Sequence, residues 1–122
     1  MSTKAGTKIL ITVGAETVTA VLDDTPSGRD FAAMMPLELS LSDYSRTEKV
    51  ADLPGKLSTD GAPRSYAASI GDITYYAPWG NLAIFYKSFP SASGLVRLGK
   101  IDGSMNLLLK NGTFKARLEI AG

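Results

Sequence analysis

Alternation of apolar and polar positions dominates the chain. Lys8–Val13 places Ile9, Ile11 and Val13 on one face of an extended segment and Lys8, Leu10 and Thr12 on the other. Gly14-Ala15 turns the chain, and Glu16–Leu22 returns as the second strand of a hairpin. Leu37–Leu41 alternates Leu-Glu-Leu-Ser-Leu, Glu48–Ala51 predicts a short strand and Leu95–Ile101 a longer one. Thr113–Ile120 alternates cleanly, with Phe114, Ala116, Leu118 and Ile120 inward and Lys115, Arg117 and Glu119 outward. In Gly71–Tyr86, two apolar, aromatic-rich runs, Ile73–Ala77 and Leu82–Tyr86, flank Pro78-Trp79-Gly80-Asn81. That pattern predicts two core strands joined by a turn that displays the single tryptophan.

Helical signals are fewer. Thr25 can cap a helix that Pro26 opens, because a first-turn proline loses no hydrogen bond. Phe31, Met34 and Met35 then form an apolar stripe, and Pro36 ends the helix. Gly28 lowers helix propensity by ~1 kcal/mol, and its small size lets the helix end lie close to neighbouring strands. Ser104 predicts the cap of a second short helix, Met105–Leu109. Ser42–Ile70 is the least regular region, and Lys87–Gly94 reads as a loop. Seven or eight mostly antiparallel strands and two short helices predict a mainly β protein: a closed β-barrel whose open ends the helices cap.

Composition narrows the chemistry. The 122 residues suit one domain, read here as residues 8–122 behind a short tail, 1–7. The net charge of +1 gives no electrostatic reason to expect a nucleic acid or an anionic membrane as partner. The chain has no cysteine and no histidine, which excludes thiolate zinc sites, a Cys nucleophile and a His general base. No cofactor and no metal site is expected, and no nucleophile elbow, phosphate loop or dinucleotide fingerprint occurs. No apolar run reaches the ~18–20 residues of a membrane span, and the polar start lacks a signal peptide's core, so a cytoplasmic location is expected.

Three segments resemble cyclophilins, the peptidyl-prolyl isomerases built on an eight-stranded barrel with two helices. Val21–Met34 is similar to their strand, Pro-Thr turn and first helix; Gly71–Tyr86 to their central strands; Leu98–Met105 to their Phe-Gly-Lys-Val strand and helix start. The chain resembles more closely a small bacterial family of cyclophilin-like fold proteins. Arg29–Ala32 (Arg-Asp-Phe-Ala), Leu57–Pro63 (Leu-Ser-Thr-Asp-Gly-Ala-Pro) and Tyr75–Asn81 (Tyr-Tyr-Ala-Pro-Trp-Gly-Asn) carry that match. The resemblance implies a cyclophilin-like eight-stranded barrel and little about activity. The isomerase pattern is not met. Thr47–Pro54 has neither the Phe-His-Arg strand nor the Phe-Met-x-Gln segment, and Leu82–Tyr86 contains no Gln.

The candidate site is therefore an aromatic one. Tyr76, Ala77, Pro78, Trp79, Phe85 and Arg97 are the expected ligand-binding surface, placed at the barrel mouth. Trp79 in a turn either packs over the barrel or walls a pocket. Tyr75 and Tyr76 point to opposite faces, and the sequence does not say which is inward. Arg97 points either to solvent or to the mouth. Glu48 and Asp52 share a face opposite Lys49, and these charges suit a solvated edge strand better than acid–base chemistry. Three functions follow: a non-catalytic peptide or small-molecule binding module; a divergent prolyl isomerase polarised by Arg97, Arg64 or Arg46; or a structural, oligomer-forming protein.

Overall fold

In the computed structural model, which describes residues 5–121, the alternating segments become strands and two short strands add to them, one within the irregular Ser42–Ile70 and one within Lys87–Gly94, which reads as a loop, for ten in all. These are β1 (Ala5–Val13), β2 (Glu16–Asp23), β3 (Leu37–Tyr44), β4 (Glu48–Asp52), β5 (Ser65–Tyr66), β6 (Asp72–Tyr76), β7 (Asn81–Phe85), β8 (Ala92–Ser93), β9 (Leu95–Asp102) and β10 (Phe114–Ile120). Eight of them close into an antiparallel barrel in the order β1-β10-β3-β4-β7-β6-β9-β2, while β5 and β8 pair outside it. Closure leaves the barrel no free edge. β1 starts at Ala5, within the expected tail, and residues 1–4 of that tail lie outside the described residues.

The helix α1 (Pro26–Ala33) forms as its signals predict. Thr25 Oγ1 accepts from the Gly28 N–H at 3.0 Å, and Pro26 occupies the first turn. Phe31 is fully buried, and Met34 and Met35 pack against the core beside it. A Cβ on Gly28 would lie 2.1 Å from the Asp23 carbonyl oxygen, so only glycine lets the helix sit on the end of β2. The second expected helix is a correction: Asn106–Leu108 forms a single 3-10 turn. Ser104 Oγ does accept from the Asn106 N–H at 3.1 Å. Asn111-Gly112 follows too soon for an α-helix to pass its unfavourable nucleus, and the tighter turn buries the adjacent Leu107 and Leu108 together. Phe31 of α1 and Leu108 of this turn both join the main core.

Inward positions follow the pleat. Ile9, Ile11 and Val13 of β1, Leu39 and Leu41 of β3, Ile73 and Tyr75 of β6, and Leu82 and Ile84 of β7 join one core. Tyr75 is thus the inward tyrosine, and its hydroxyl accepts from the Leu57 N–H at 3.3 Å. Two expectations fail. Ile120 is 44% exposed. Its strand pairs with β3 only as far as Leu118↔Leu37, so Ile120 runs past the cover that β3 supplies. The solvated-edge reading of Glu48–Asp52 also fails, because β4 lies inside the barrel between β3 and β7. Lys49 does face away from Glu48, but inward, at 3% exposure. Its ammonium donates to the Lys110 carbonyl at 2.7 Å and lies 3.4 Å from the Asp43 carboxylate and 5.5 Å from the ring centres of Tyr86 and Phe114. A buried ammonium needs such partners, since desolvation of an unpaired charge is costly.

Candidate functional site

Period two sends alternate residues of β4, β6 and β7 to the outer wall of the barrel. Val50, Ala83 and Phe85 there join Tyr76 in a second apolar cluster, covered by Tyr66, Ala68, Ala92 and Leu95 around the β5–β8 pair. Cross-strand register places Glu48 opposite Phe85 and Asn81 opposite Tyr76. Beside this cluster a groove of about 360 Å³ opens. Its walls include Tyr44, Tyr76, Trp79, Phe85 and Phe89, and Glu48 and Asn81 line it as well. The groove lies on the outer wall, beside this second cluster, whereas the sequence pattern places the expected surface at the barrel mouth.

The Trp79 turn explains how a bulky ring stays outside. The N–H groups of Trp79 and Gly80 both return to the Tyr76 carbonyl, at 3.2 and 2.8 Å, and Gly80 takes φ +68°, a left-handed conformation glycine adopts without penalty. Trp79 is left 61% exposed. Its ring meets Tyr44 and Tyr76 edge to face, at centroid distances of 5.8 and 5.3 Å and 84° in both cases. Phe89 leans on Phe85 at 5.8 Å.

The polar groups of the groove are under-partnered. Asn81 Oδ1 is buried without a hydrogen-bond partner among the described residues. Glu48 is half-buried, and burial alone pushes its carboxyl up to about 6.

Of the expected site residues, Tyr76, Trp79 and Phe85 come together in this groove. Ala77 and Pro78 belong to the turn beneath Trp79 but do not line the groove; Ala77 N–H donates to the Gly94 carbonyl at 2.9 Å. Arg97 lies elsewhere, in a cleft of about 260 Å³ near the start of α1. Its Nε is 3.0 Å from Asp23 and its Nη1 3.8 Å from Asp72. Asp72 is 1% exposed, and its Oδ2 accepts from the Tyr66 hydroxyl at 2.6 Å and the Ser69 N–H at 2.8 Å. Burial opposes the charge on Arg97, but Tyr66, Asp23 and Asp72 together outweigh it and raise its pKa. The Tyr66 hydroxyl is pushed up by burial first and by the Asp72 hydrogen bond second. Sequence reasoning missed Tyr44, Asn81 and Phe89. Asn81 was within reach, because stepping by two from Phe85 along β7 passes through Ala83 to Asn81.

The model of the cyclophilin-like family matches residues 11–119. The chain belongs to the cyclophilin-like family. A similar solved structure is the solution structure of a hypothetical protein from Archaeoglobus fulgidus, with a TM-score of 0.67, 19% identity, and coverage of 99% of this chain and 100% of that one. At that identity the likeness speaks for the fold. No curated protein matches the chain. The family's barrel and the outer-wall groove are thus the frame in which function has to be argued. No helix among the described residues is long and apolar enough to cross a membrane.

Proposed function

We propose that this cyclophilin-like protein is a non-catalytic binding module whose outer-wall groove takes a peptide segment or a small molecule. The observation that carries the reading is the convergence of five aromatic rings, from β3, β6, the Trp79 turn, β7 and the following loop, on one concavity. Exposed aromatic surface of this kind is retained where it meets a ligand. Support against catalysis comes from the lining. Prolyl isomerisation has to lower an amide-rotation barrier of ~18–20 kcal/mol, which calls for a cationic donor over the twisted amide. Among the described residues no Arg or Lys lines the groove, and Arg97 is held by two carboxylates in another cleft.

Trp79 is the only tryptophan, so its fluorescence reports on the groove directly. Titration with Xaa-Pro peptides and a metabolite panel is expected to shift or quench that emission. Because Trp79 is exposed, Trp79→Ala is expected to abolish binding while changing stability by less than about 1 kcal/mol. A Trp79 that stays silent towards every ligand sinks the reading. A protease-coupled assay on a proline peptide is expected to run at the uncatalysed rate; a clear acceleration would favour the isomerase instead.

A further inference from the structure

The groove holds a carboxylate with nothing to balance it. Glu48 sits among the aromatic rings, half-buried, with no ion-pair or hydrogen-bond partner among the described residues. The nearest cations in sequence make no ion pair with it. Lys49 points into the barrel and is engaged by the Lys110 carbonyl and Asp43. Arg46 lines a different cavity, with Asp43 and Tyr86. Next to Glu48, Asn81 keeps a buried carbonyl oxygen without a donor. Tyr44 and Tyr76 stand at right angles to Trp79 and make a corner of aromatic surface.

These features select ligands by charge. An anion would meet a like charge and no cationic donor. A neutral apolar group would desolvate Glu48 further and offer nothing in return. A cation gains from the ring quadrupoles and from the carboxylate together. Resting on the reading of the groove as a binding site, we infer that its ligand carries an alkylammonium or guanidinium group, seated against Trp79, Tyr76 and Tyr44 with the Glu48 carboxylate as counter-charge. The ligand class is therefore an organic nitrogen cation, free or as a side chain of a peptide.

A pH signature follows. Burial without a cation keeps the Glu48 carboxyl up at about 6, and a bound cation lowers it, so binding releases protons near that pH. The titratable groups around Glu48 are few. Tyr44 faces it from β3, Tyr76 from β6 and Tyr86 from just beyond β7, with Arg46 in the β3–β4 turn and Lys49 behind it on β4. Among the described residues no second carboxyl lines the groove.

The test compares choline with 3,3-dimethylbutan-1-ol, its neutral carbon isostere, and N-acetylarginine methylamide with the citrulline analogue. Each is titrated against the intact chain by Trp79 fluorescence, with an Xaa-Pro peptide in parallel. At pH 7.5 at least one cation is expected to bind about tenfold or more tightly than its isostere. Glu48→Gln, shown folded by circular dichroism, is expected to cut that preference to the roughly two- to fivefold that the rings alone supply. Between pH 7.5 and pH 5 the wild-type affinity is expected to fall about tenfold, since roughly a tenth of Glu48 stays ionised at the lower pH, while Glu48→Gln shows no fall. Equal binding of cation and isostere, or a preference that Glu48→Gln leaves undiminished, overturns the inference. If both cations are silent while the Xaa-Pro peptide binds, the charge selectivity is wrong and the binding site stands. If nothing binds, both are wrong.

Discussion

Asp72 offers the sharpest test of how the outer wall is built. The carboxylate is almost wholly buried on β6, and its Oδ2 alone holds two donors, the Tyr66 hydroxyl of β5 and the Ser69 N–H. Its Oδ1 has no hydrogen bond and lies 3.8 Å from Arg97. Tyr66→Phe removes one hydrogen bond and is expected to cost about 1 kcal/mol. Asp72→Asn keeps a carbonyl oxygen where Oδ2 accepts but sets an amide donor against the Arg97 guanidinium, so it removes the charge and leaves a donor facing a donor, at a cost of about 2 kcal/mol. Asp72→Ala leaves both donors and Arg97 without their carboxylate. Arg97 is partly exposed and keeps Asp23, so the cost comes chiefly from the two hydrogen bonds to the charged Oδ2, ~1.5–3 kcal/mol each, and the expectation is about 3 kcal/mol. For a domain of this size that is roughly 12 °C in Tm. Urea unfolding followed by Trp79 fluorescence and circular dichroism measures the series, and amide exchange at Ser69 reports the local release. The Tyr66→Phe/Asp72→Ala double variant should be no less stable than Asp72→Ala, because the bond is already gone. A loss below about 1 kcal/mol for Asp72→Ala, or strict additivity in the double variant, would refute the idea that this carboxylate pins β5 to the barrel.

Other substitutions probe the rest of the frame. Gly28→Ala adds helix propensity of ~1 kcal/mol, yet it is expected to lower stability by about 2 kcal/mol or more, because the new Cβ meets the Asp23 backbone oxygen at 2.1 Å; equal or higher Tm would contradict that fit. Leu118→Ala at a fully buried site is expected to cost ~2–5 kcal/mol, and Ile120→Lys two positions on to stay within about 0.5 kcal/mol, a contrast read by urea denaturation. Glu48 sets a pH dependence: its folded carboxyl titrates at about 6 against an ordinary value of 4.5, so the folded state binds the proton more readily. Stability attributable to Glu48 therefore falls as pH rises from about 4.5 through about 6, by an amount of order 1 kcal/mol once solvent screening of this half-exposed group is allowed for. Glu48→Gln should remove that slope and be the more stable form at pH 7; an unchanged pH profile of Tm would show that the groove does not desolvate this carboxyl.

The barrel was legible because most of its strands bury one face. Ile9, Ile11 and Val13, or Leu39 and Leu41, announce that face by alternation. Where both faces are covered, alternation disappears. Gly71–Tyr86 is buried on its inner side by the core and on its outer side by the β5–β8 pair, so Tyr75 and Tyr76 read alike although one is inside and the other outside. The groove was half legible for a related reason. Tyr76, Trp79 and Phe85 come from one continuous segment, whereas Tyr44 and Phe89 reach it from a strand end and a loop that no local pattern ties to it. Lys49 and Arg97 show the converse limit. A charged residue within a strand reads as outward and solvated, but Lys49 is inside with a carbonyl and a carboxylate, and Arg97 is outside yet bound by two carboxylates. Partners distant in sequence decide both.

The order of strands also dictates when the molecule can become complete. β10 is the seam: it pairs with β1 on one side and with β3 on the other. Until residues 114–120 have emerged from synthesis, β1 and β3 each present a bare edge, and the nascent chain is an open, sticky sheet rather than a barrel. Joining Ile11 to Leu118 spans almost the whole sequence, and such distant pairings are slow to form. During that interval the unfinished chain is most exposed to mispairing with its neighbours, and a chaperone holding it would find its purchase on the β1 and β3 edges.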